Sequence, residues 1–368
     1  MTGCKVNVEK MLYDTNRSQD IRVKILNENE VLIESESPLV VKDNITGEDV
    51  NYTSVDTLHF EFNGENNALL NGRPFCSQLK ISSSDNSMIV VNGAHYLGYF
   101  IITACNHEIE VINIVPLETY LISVLPSEMP LYFMSEALKA QAVISRTYAV
   151  YNINKNYNTK NFDVDNTTNY QVYNGYDKLM LYNMFFKIKD AVTSTKGMIL
   201  TYENEPIITF FHANSGGQLV SGRDYFGVNA DKPYLVSKPD PYSEGFPGYR
   251  WDYAMNFDDF NRIFGFDLIN NSPVIETAQN GQVSRIELGG TVLSPKDVRW
   301  KIGLIRFKSN KFIMNLDRDN QLVKFEGMGF GHGVGLSQWG AQGMALKGFR
   351  YDQILNFYYP GTTTGNHQ

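Results

Sequence analysis

The apolar positions of this chain change their period partway along. Between residue 5 and about 110 they alternate, as in Ile21, Val23 and Ile25, Val31 and Ile33, Leu58, Phe60 and Phe62, and Met88 to Val91. Period two with turn residues between the runs predicts short, half-buried strands. Asn92-Gly93 predicts a tight hairpin between Val91 and Tyr96, and Asp43-Asn44 with Thr46-Gly47 marks another turn. At Pro116 the period lengthens. Leu117, Tyr120, Leu121, Val124 and Leu125 fall on one helical face, with Pro116 suited to the first helical position and Glu118 to the first turn. Pro126 is expected to stop this helix. A second helix is expected from a cap near Ser135 to about Tyr151, with Leu138, Ala142, Ser145 and Ala149 as its stripe.

Beyond it, residues 153–178 read as loop and Met180 to Val192 as helix. Gly197 to Phe211 reads as two strands around Asn204-Glu205-Pro206, and Lys238 to Gly248 as a loop. Phe257 to Phe264 predicts a helix, Val283 to Leu288 a strand, and Ser294 to Ile302 a helix with Pro295 first. Lys311 to Asn315 and Leu322 to Phe325 return to strand. Ser337 to Leu346 and Asp352 to Phe357 close the chain as helices. Strands and helices in runs predict an α+β class, β-rich with a few helices. Four regions are expected. They are a β-rich region 1–110, a core of 111–250 and 316–361, an inserted α+β subdomain 251–315, and a tail 362–368.

Composition narrows the function classes. With 368 residues, 43% apolar and 20% charged, the chain can bury a sizeable core and is not largely disordered. A net charge of −8 excludes a globally basic nucleic-acid binder. No apolar run approaches the roughly 18 residues that span a bilayer. Three cysteines, Cys4, Cys76 and Cys105, form no CxxC, so no disulfide framework or thiolate zinc cluster is written here. Met1-Thr2-Gly3-Cys4 reads either as an ordinary start or as the end of a bacterial lipoprotein cleavage motif.

Three stretches carry candidate chemistry. The first is Val115-Pro-Leu-Glu-Thr-Tyr-Leu-Ile-Ser-Val-Leu-Pro-Ser-Glu-Met-Pro130, leading into Glu136 to Ala149. Glu128 lies between Pro126 and Pro130 on a connector beside apolar Leu125 and Met129. It reads either as a general acid or as a helix-capping glutamate. Glu118 is its competitor, with a helix-terminus role sufficient to explain it. Lys139 and Arg146, seven apart, share a helical face and could hold an anionic or hydroxyl-rich ligand, or simply be solvated.

The second stretch is Gly327 to Gly343, with glycine at every second position around His332. It is neither a Rossmann nor a phosphate-loop fingerprint. His332 reads as a ligand contact, a packed histidine or a metal ligand. Gln338 and Trp339 suit sugar hydrogen bonding and stacking, and Trp339 equally suits a core. The third is Phe210-Phe-His-Ala-Asn-Ser-Gly-Gly217. His212 and Ser215 invite a Ser/His hydrolase reading, but no GxSxG elbow surrounds the serine, and a polar cleft wall fits better.

Taken together these stretches resemble the stage II sporulation protein D family, which includes a sporulation lytic transglycosylase and amidase-enhancer proteins. Asp297-Val-Arg299, Gly303-Leu304, Lys308-Ser309 and Tyr358-Tyr-Pro-Gly361 add to the match, which covers most of residues 95–361 in order. The resemblance implies two lobes flanking a substrate cleft and cleavage of peptidoglycan glycan strands, in the sporulation enzyme preferentially of strands lacking stem peptides. It places the catalytic glutamate of a Glu-Met-Pro motif at Glu128. It places activity-linked basic residues at Arg146 and Lys139. The full candidate binding set is Arg146, Lys139, Tyr148, His212, Ser215, His332 and Gln338.

The resemblance also has departures. Some members carry zinc through a cysteine and a His-Cys pair ahead of a Gln-Val-Tyr. Here that loop reads Asp163-Val-Asp-Asn-Thr-Thr-Asn-Tyr-Gln-Val-Tyr173, with Asn169 and Tyr170 where His and Cys would stand. No metal and no cofactor is therefore expected. Tyr96-Leu97-Gly98 lacks the basic residue common at its middle.

The reading that follows is a lytic transglycosylase, extracytoplasmic in the cell envelope. Its expected partners are glycan strands, a cell-wall amidase and engulfment proteins, without nucleic acid, and with membrane association only through an N-terminal anchor. One carboxyl suffices for lytic cleavage, and no second carboxylate stands near Glu128 in sequence, whereas a hydrolase normally uses two. The competing readings are a non-catalytic glycan-binding enhancer of an amidase, and a Ser/His amidase built on Ser215 and His212.

Overall fold

A computed structural model describes residues 20–50, 55–62, 68–75, 78–105, 107–167, 170–177 and 185–366. Cys4, Cys76, Asn169 and the first turn of the expected 180–192 helix lie outside them. The architecture is α+β. Two compact units comprise Met1–Ile208 with Thr364–Gln368, and Thr209–Thr363. This division runs through the 111–250 stretch that sequence reading kept together.

The first unit is built on one large sheet. Its strands are β1 (Asp20–Glu28), β2 (Glu30–Asp43), β3 (Val55–Phe62), β4 (Ala68–Leu70), β5 (Arg73–Pro74), β6 (Leu79–Ser83), β7 (Ile89–Val91), β8 (Ala94–Tyr96), β9 (Tyr99–Cys105), β10 (Glu108–Pro116) and β11 (Val164–Asp165). They run in the order β11-β1-β10-β9-β6-β2-β3-β4-β5, and β7 pairs with both β2 and β8. The expected alternation is what builds the core face, since Ile21, Val23 and Ile25 of β1 are buried while their neighbours are less so. The Asn92-Gly93 hairpin joins β7 to β8 with both turn residues at positive φ. Central β10 is buried on both faces from Val111 to Val115, as a strand covered by helices must be.

Three helices follow: α1 (Leu117–Glu128), α2 (Ser135–Asn156) and α3 (Phe185–Thr193). Helix α1 departs from expectation at both ends. Pro116 is its cap rather than its first residue, and the helix runs through Pro126 to Glu128. Pro126 lacks the N–H that would bond the carbonyl four residues back, so the last turn of the helix forgoes that bond. The stop comes from Pro130, which holds Met129 extended at φ −130°, ψ 137°. In α2, Met134 takes the cap position and Ser135 is the first helical residue. Leu138, Ala142, Ser145 and Ala149 are fully buried, so the small-residue stripe does pack closely. Strands β12 (Met198–Tyr202) and β13 (Glu205–Pro206) form a hairpin, and Thr363–Asn366 joins β12 from the end of the chain.

In the second unit, β14 (Phe211–His212) leads to the short α4 (Gly222–Phe226). Then come β15 (Arg250–Asn256), α5 (Phe257–Phe264), β16 (Val274–Thr277), β17 (Val283–Leu288), β18 (Thr291–Leu293) and α6 (Pro295–Ile302). The chain continues with β19 (Phe312–Asp317), β20 (Leu322–Met328), β21 (Leu336–Ser337), α7 (Gln338–Leu346) and α8 (Tyr351–Tyr358). Strands β15, β20 and β19 form one sheet, and β16, β17 and β18 another. Their shared core centres on Phe307, whose ring lies 4.7–5.0 Å from those of Trp251, Phe312 and Phe325. Because β20 pairs along its length with β15, this subdomain extends past residue 315 to Met328. No helix among the described residues is long and apolar enough to cross a membrane.

Candidate functional site

In the first unit, Glu128 ends α1 half-buried, with Leu125 and Met129 buried beside it. Its Oε1 accepts the backbone N–H of Val172 at 2.8 Å. The loop carrying Val172 is tied along α1. Tyr120 donates its hydroxyl to Gln171 Oε1 at 3.3 Å, Ser123 donates to the Gly175 carbonyl at 2.5 Å, and Tyr176 donates to the Thr119 carbonyl at 3.0 Å. Tyr173 reaches Asn113 Oδ1 of β10 at 2.7 Å. Strand, helix and loop thus fix the amide that orients the carboxylate.

Two tyrosines register the charge at Glu128. Burial, with that charge adding to it, holds the Tyr120 hydroxyl well above its ordinary range. Tyr148, half-buried on α2, is pushed up to about 12, by burial first and then by Tyr170, with Asp165 and Glu128 adding smaller contributions. Both stay protonated at any working pH and remain hydrogen-bond donors.

The structure separates the other residues expected near Glu128. Arg146 does not share an open face with Lys139. It is fully buried, its Nε and Nη2 donating to the two oxygens of Glu118 at 2.7 Å each. Its remaining donors go to the carbonyls of Val192 and Met198 at 3.2 Å and to Thr195 Oγ1 at 3.5 Å. Its guanidinium is fully engaged inside the protein, which corrects the expectation of a substrate contact at Arg146. Glu118, assigned only a helix-terminus role from sequence, is the partner of this ion pair. Lys139 stays near the surface and pairs with Glu136 at 3.1 Å, one turn away.

In the loop where the resemblance places zinc in some members, both aspartates are already engaged by protein donors. Both oxygens of Asp163 are taken by Arg22, through its backbone N–H at 2.8 Å and its side chain at 2.6 Å. Asp165 accepts from Thr167. Among the described residues no third acidic, histidine or cysteine ligand joins them. Sequence reading used Gln171-Val-Tyr173 only as a landmark and missed its positioning role, which no local pattern signals because the contacts reach back some 50 residues.

In the second unit, β14 and β21 pair in parallel, Phe211 with Leu336 and His212 with Ser337. The alternating glycines permit this approach. Gly335 has φ +71°, and a Cβ there would lie 1.9 Å from the Phe210 carbonyl oxygen. His332 is half-buried among rings, with centroid separations of 5.3–6.0 Å to Phe226, His212, Tyr225 and Phe210. Its Nδ1 accepts the Val334 N–H at 3.0 Å. His212 is buried and donates Nδ1–H to the Val334 carbonyl at 3.2 Å, leaving Nε2 buried without a partner. Burial holds both imidazoles neutral, His212 lowered to about 4 and His332 well below its ordinary value.

Ser215 is not paired with His212. Its hydroxyl donates to Asp240 Oδ2 and meets Ser243 Oγ, both at 2.7 Å. Asp240 also accepts from Tyr358 at 3.2 Å, and burial raises its carboxyl above the usual range. The Ser/His amidase reading does not match this geometry, because the serine donates to a carboxylate and His212 is engaged with the Val334 carbonyl instead. Gln338 is buried at the start of α7, and Trp339 stacks on Phe246 at 5.0 Å.

The first unit therefore defines an α+β protein presenting one oriented carboxylate at a helix end. Comparison carries this further. The stage II sporulation protein family model, SpoIID, matches residues 105–202, which include α1, α2 and the Gln171–Tyr176 loop. Stage II sporulation protein D of Bacillus subtilis is 35% identical over 67% of this chain and 74% of its own length. An uncharacterized protein of Brachyspira hyodysenteriae is 36% identical over 74% of this chain and 72% of its own. The amidase enhancer of Bacillus subtilis is 27% identical over 65% of this chain and 39% of its own. The chain belongs to the stage II sporulation protein D family.

Proposed function

We propose that this chain is a peptidoglycan lytic transglycosylase acting outside the cytoplasm on bacterial cell-wall glycan, in the engulfment stage of sporulation. The observation that carries the reading is the carboxylate of Glu128, half-exposed and held by the Val172 amide on a loop tied to its own helix. The names of the sporulation and amidase-enhancer relatives support the cell-wall setting.

Glu128, protonated, gives its proton to the glycosidic oxygen as the C1–O bond breaks. The cleaved chain leaves as an alcohol, and positive charge develops at C1. The carboxylate then removes the proton from the 6-hydroxyl of the same sugar, whose oxygen closes on C1. The product is a 1,6-anhydro ring, no water is consumed, and the carboxyl is returned to its starting form. One group must be stable in both states. The negative end of the α1 dipole favours the neutral carboxyl, and the Val172 N–H favours the carboxylate. Every step balances with these residues alone, so no metal or cofactor is assigned a role.

The test is mass spectrometry of glycan strands after incubation, looking for anhydro-muramic ends. Glu128→Gln keeps the shape but cannot shuttle the proton, and it should lose at least about 10²-fold in rate while melting near the parent. Unchanged cleavage by Glu128→Gln would remove this mechanism. A second reading has support in the amidase-enhancer relative: glycan binding without cleavage. Bound strands without anhydro ends, and stimulation of a separate amidase, would establish that reading instead.

A further inference from the structure

Two cavities of about 650 and 740 Å³ adjoin in the second unit and share Lys311 and Gly281. The first lies on the outer face of the β15-β20-β19 sheet, with Ile313 and Met328 among its apolar lining and Trp251 behind it. The second is polar, walled by Gln218, Ser237, Gln279 and Asn280. Lys311 stands where they meet. Its stem lies across Gly281, where a Cβ would come within 3.3 Å of Lys311 Cε. Its Nζ donates to the Gly216 carbonyl at 3.2 Å, which uses one of three donors.

The ammonium is partly buried and has no carboxylate partner among the described residues. Carboxylates do line the groove. Asp224 accepts from Asn280 Nδ2 at 3.2 Å, while Asp252 and Glu326 face each other across β15 and β20 beside Arg250. A half-buried cation without a counter-charge is unfavourable unless a ligand supplies one. The amide and acid groups beside it offer acceptors and donors to hydroxyl or amide groups on that same ligand.

We infer that this groove binds a carboxylate-bearing fragment of the cell-wall polymer, with Lys311 pairing its carboxylate and the Gln218–Gln279 wall bonding its hydroxyl or amide groups. The inference rests on the cell-wall reading above but not on cleavage. The carboxylate has two sources of the same chemistry, the lactyl group of a peptide-free muramyl residue or the C-terminus of a stem peptide.

Equilibrium binding tests it, using the full chain carrying Glu128→Gln so that glycan is not consumed. The probes are peptide-free glycan strands, the same strands with carboxyls amidated, and isolated stem tetrapeptide. At least one carboxylate probe should bind, and the probe that responds to Lys311 identifies the source. Lys311→Met should weaken it about tenfold or more, Lys311→Arg should retain most of it, and amidation should mimic Lys311→Met. Should Lys311→Met fail to fold, Gln279→Ala, an exposed wall residue, should still weaken binding about threefold. Glycan binding that ignores Lys311, Gln279 and amidation overturns this site and leaves the cell-wall reading intact. Binding to neither probe overturns both.

Discussion

Arg146 offers the most decisive perturbation, because sequence and structure assign it different work. Sequence similarity makes it a substrate contact, whereas the fold makes it an interior clamp between α1, α2 and the segment from Val192 to Met198. Arg146→Ala would leave Glu118 buried with, among the described residues, only the Gly197 N–H at 3.3 Å as a remaining bond. It would also strip a donor from two interior carbonyls and open a cavity. Removing one partner of a buried pair costs about 3–5 kcal/mol. In a unit of about 200 residues that corresponds to roughly 6–20 °C in melting temperature. Glu118→Gln should cost a similar amount. The pair replaced together, Glu118→Leu with Arg146→Met, should recover most of the loss, since well-packed apolar groups substitute for buried ion pairs at little cost. The assay is thermal and urea denaturation of the three variants, with glycan cleavage measured at a temperature where each is folded. If Arg146→Ala melted within about 1 °C of the parent while losing turnover, the clamp assignment would be wrong and the guanidinium would belong to the substrate site.

Two further outcomes follow from the second unit. His212 is neutral when folded and takes a proton only near pH 4, against 6.5 for a free imidazole. The unfolded chain therefore binds the extra proton between those values, and stability falls on acidification through that window by about 3 kcal/mol. Urea midpoints between pH 7 and 4.5 measure this, and an unaltered acid slope in His212→Asn would discount it. Ser215→Ala should destabilise by about 1–3 kcal/mol by taking a donor from buried Asp240, with glycan chemistry otherwise preserved. A stable Ser215→Ala protein without activity would revive the serine-hydrolase alternative.

Where the chain carries long, periodic runs, its sequence already writes the fold. Phe257–Phe264, Val283–Leu288 and the Pro295-initiated helix stand at their expected bounds, because caps and turn residues act locally. Two-residue strands such as β11, β14 and β21 leave no periodic trace, yet they join distant segments. Glu128 was legible as a candidate because the two flanking prolines mark it. Its orienting amide at Val172 was not, nor was the Glu118–Arg146 pair, since both depend on packing between residues 28 or more positions apart.

The two carboxylates of α1 show why spacing alone misleads. Glu118 lies in the first turn, where burial against α2 brings it to a guanidinium that has no other counter-charge among the described residues. With both oxygens bonded to a buried guanidinium, this carboxylate is committed inside the protein, which suits a structural role. Glu128 lies at the opposite end of the same helix, half-exposed. Val172 donates its backbone N–H to it, and Tyr120, Ser123 and Tyr176 fasten the Val172 loop. The clamp at one end of α1 therefore serves the chemistry proposed at the other. Ten residues of helix give a rise of roughly 15 Å, and fixing the first turn fixes where the last turn presents its acid.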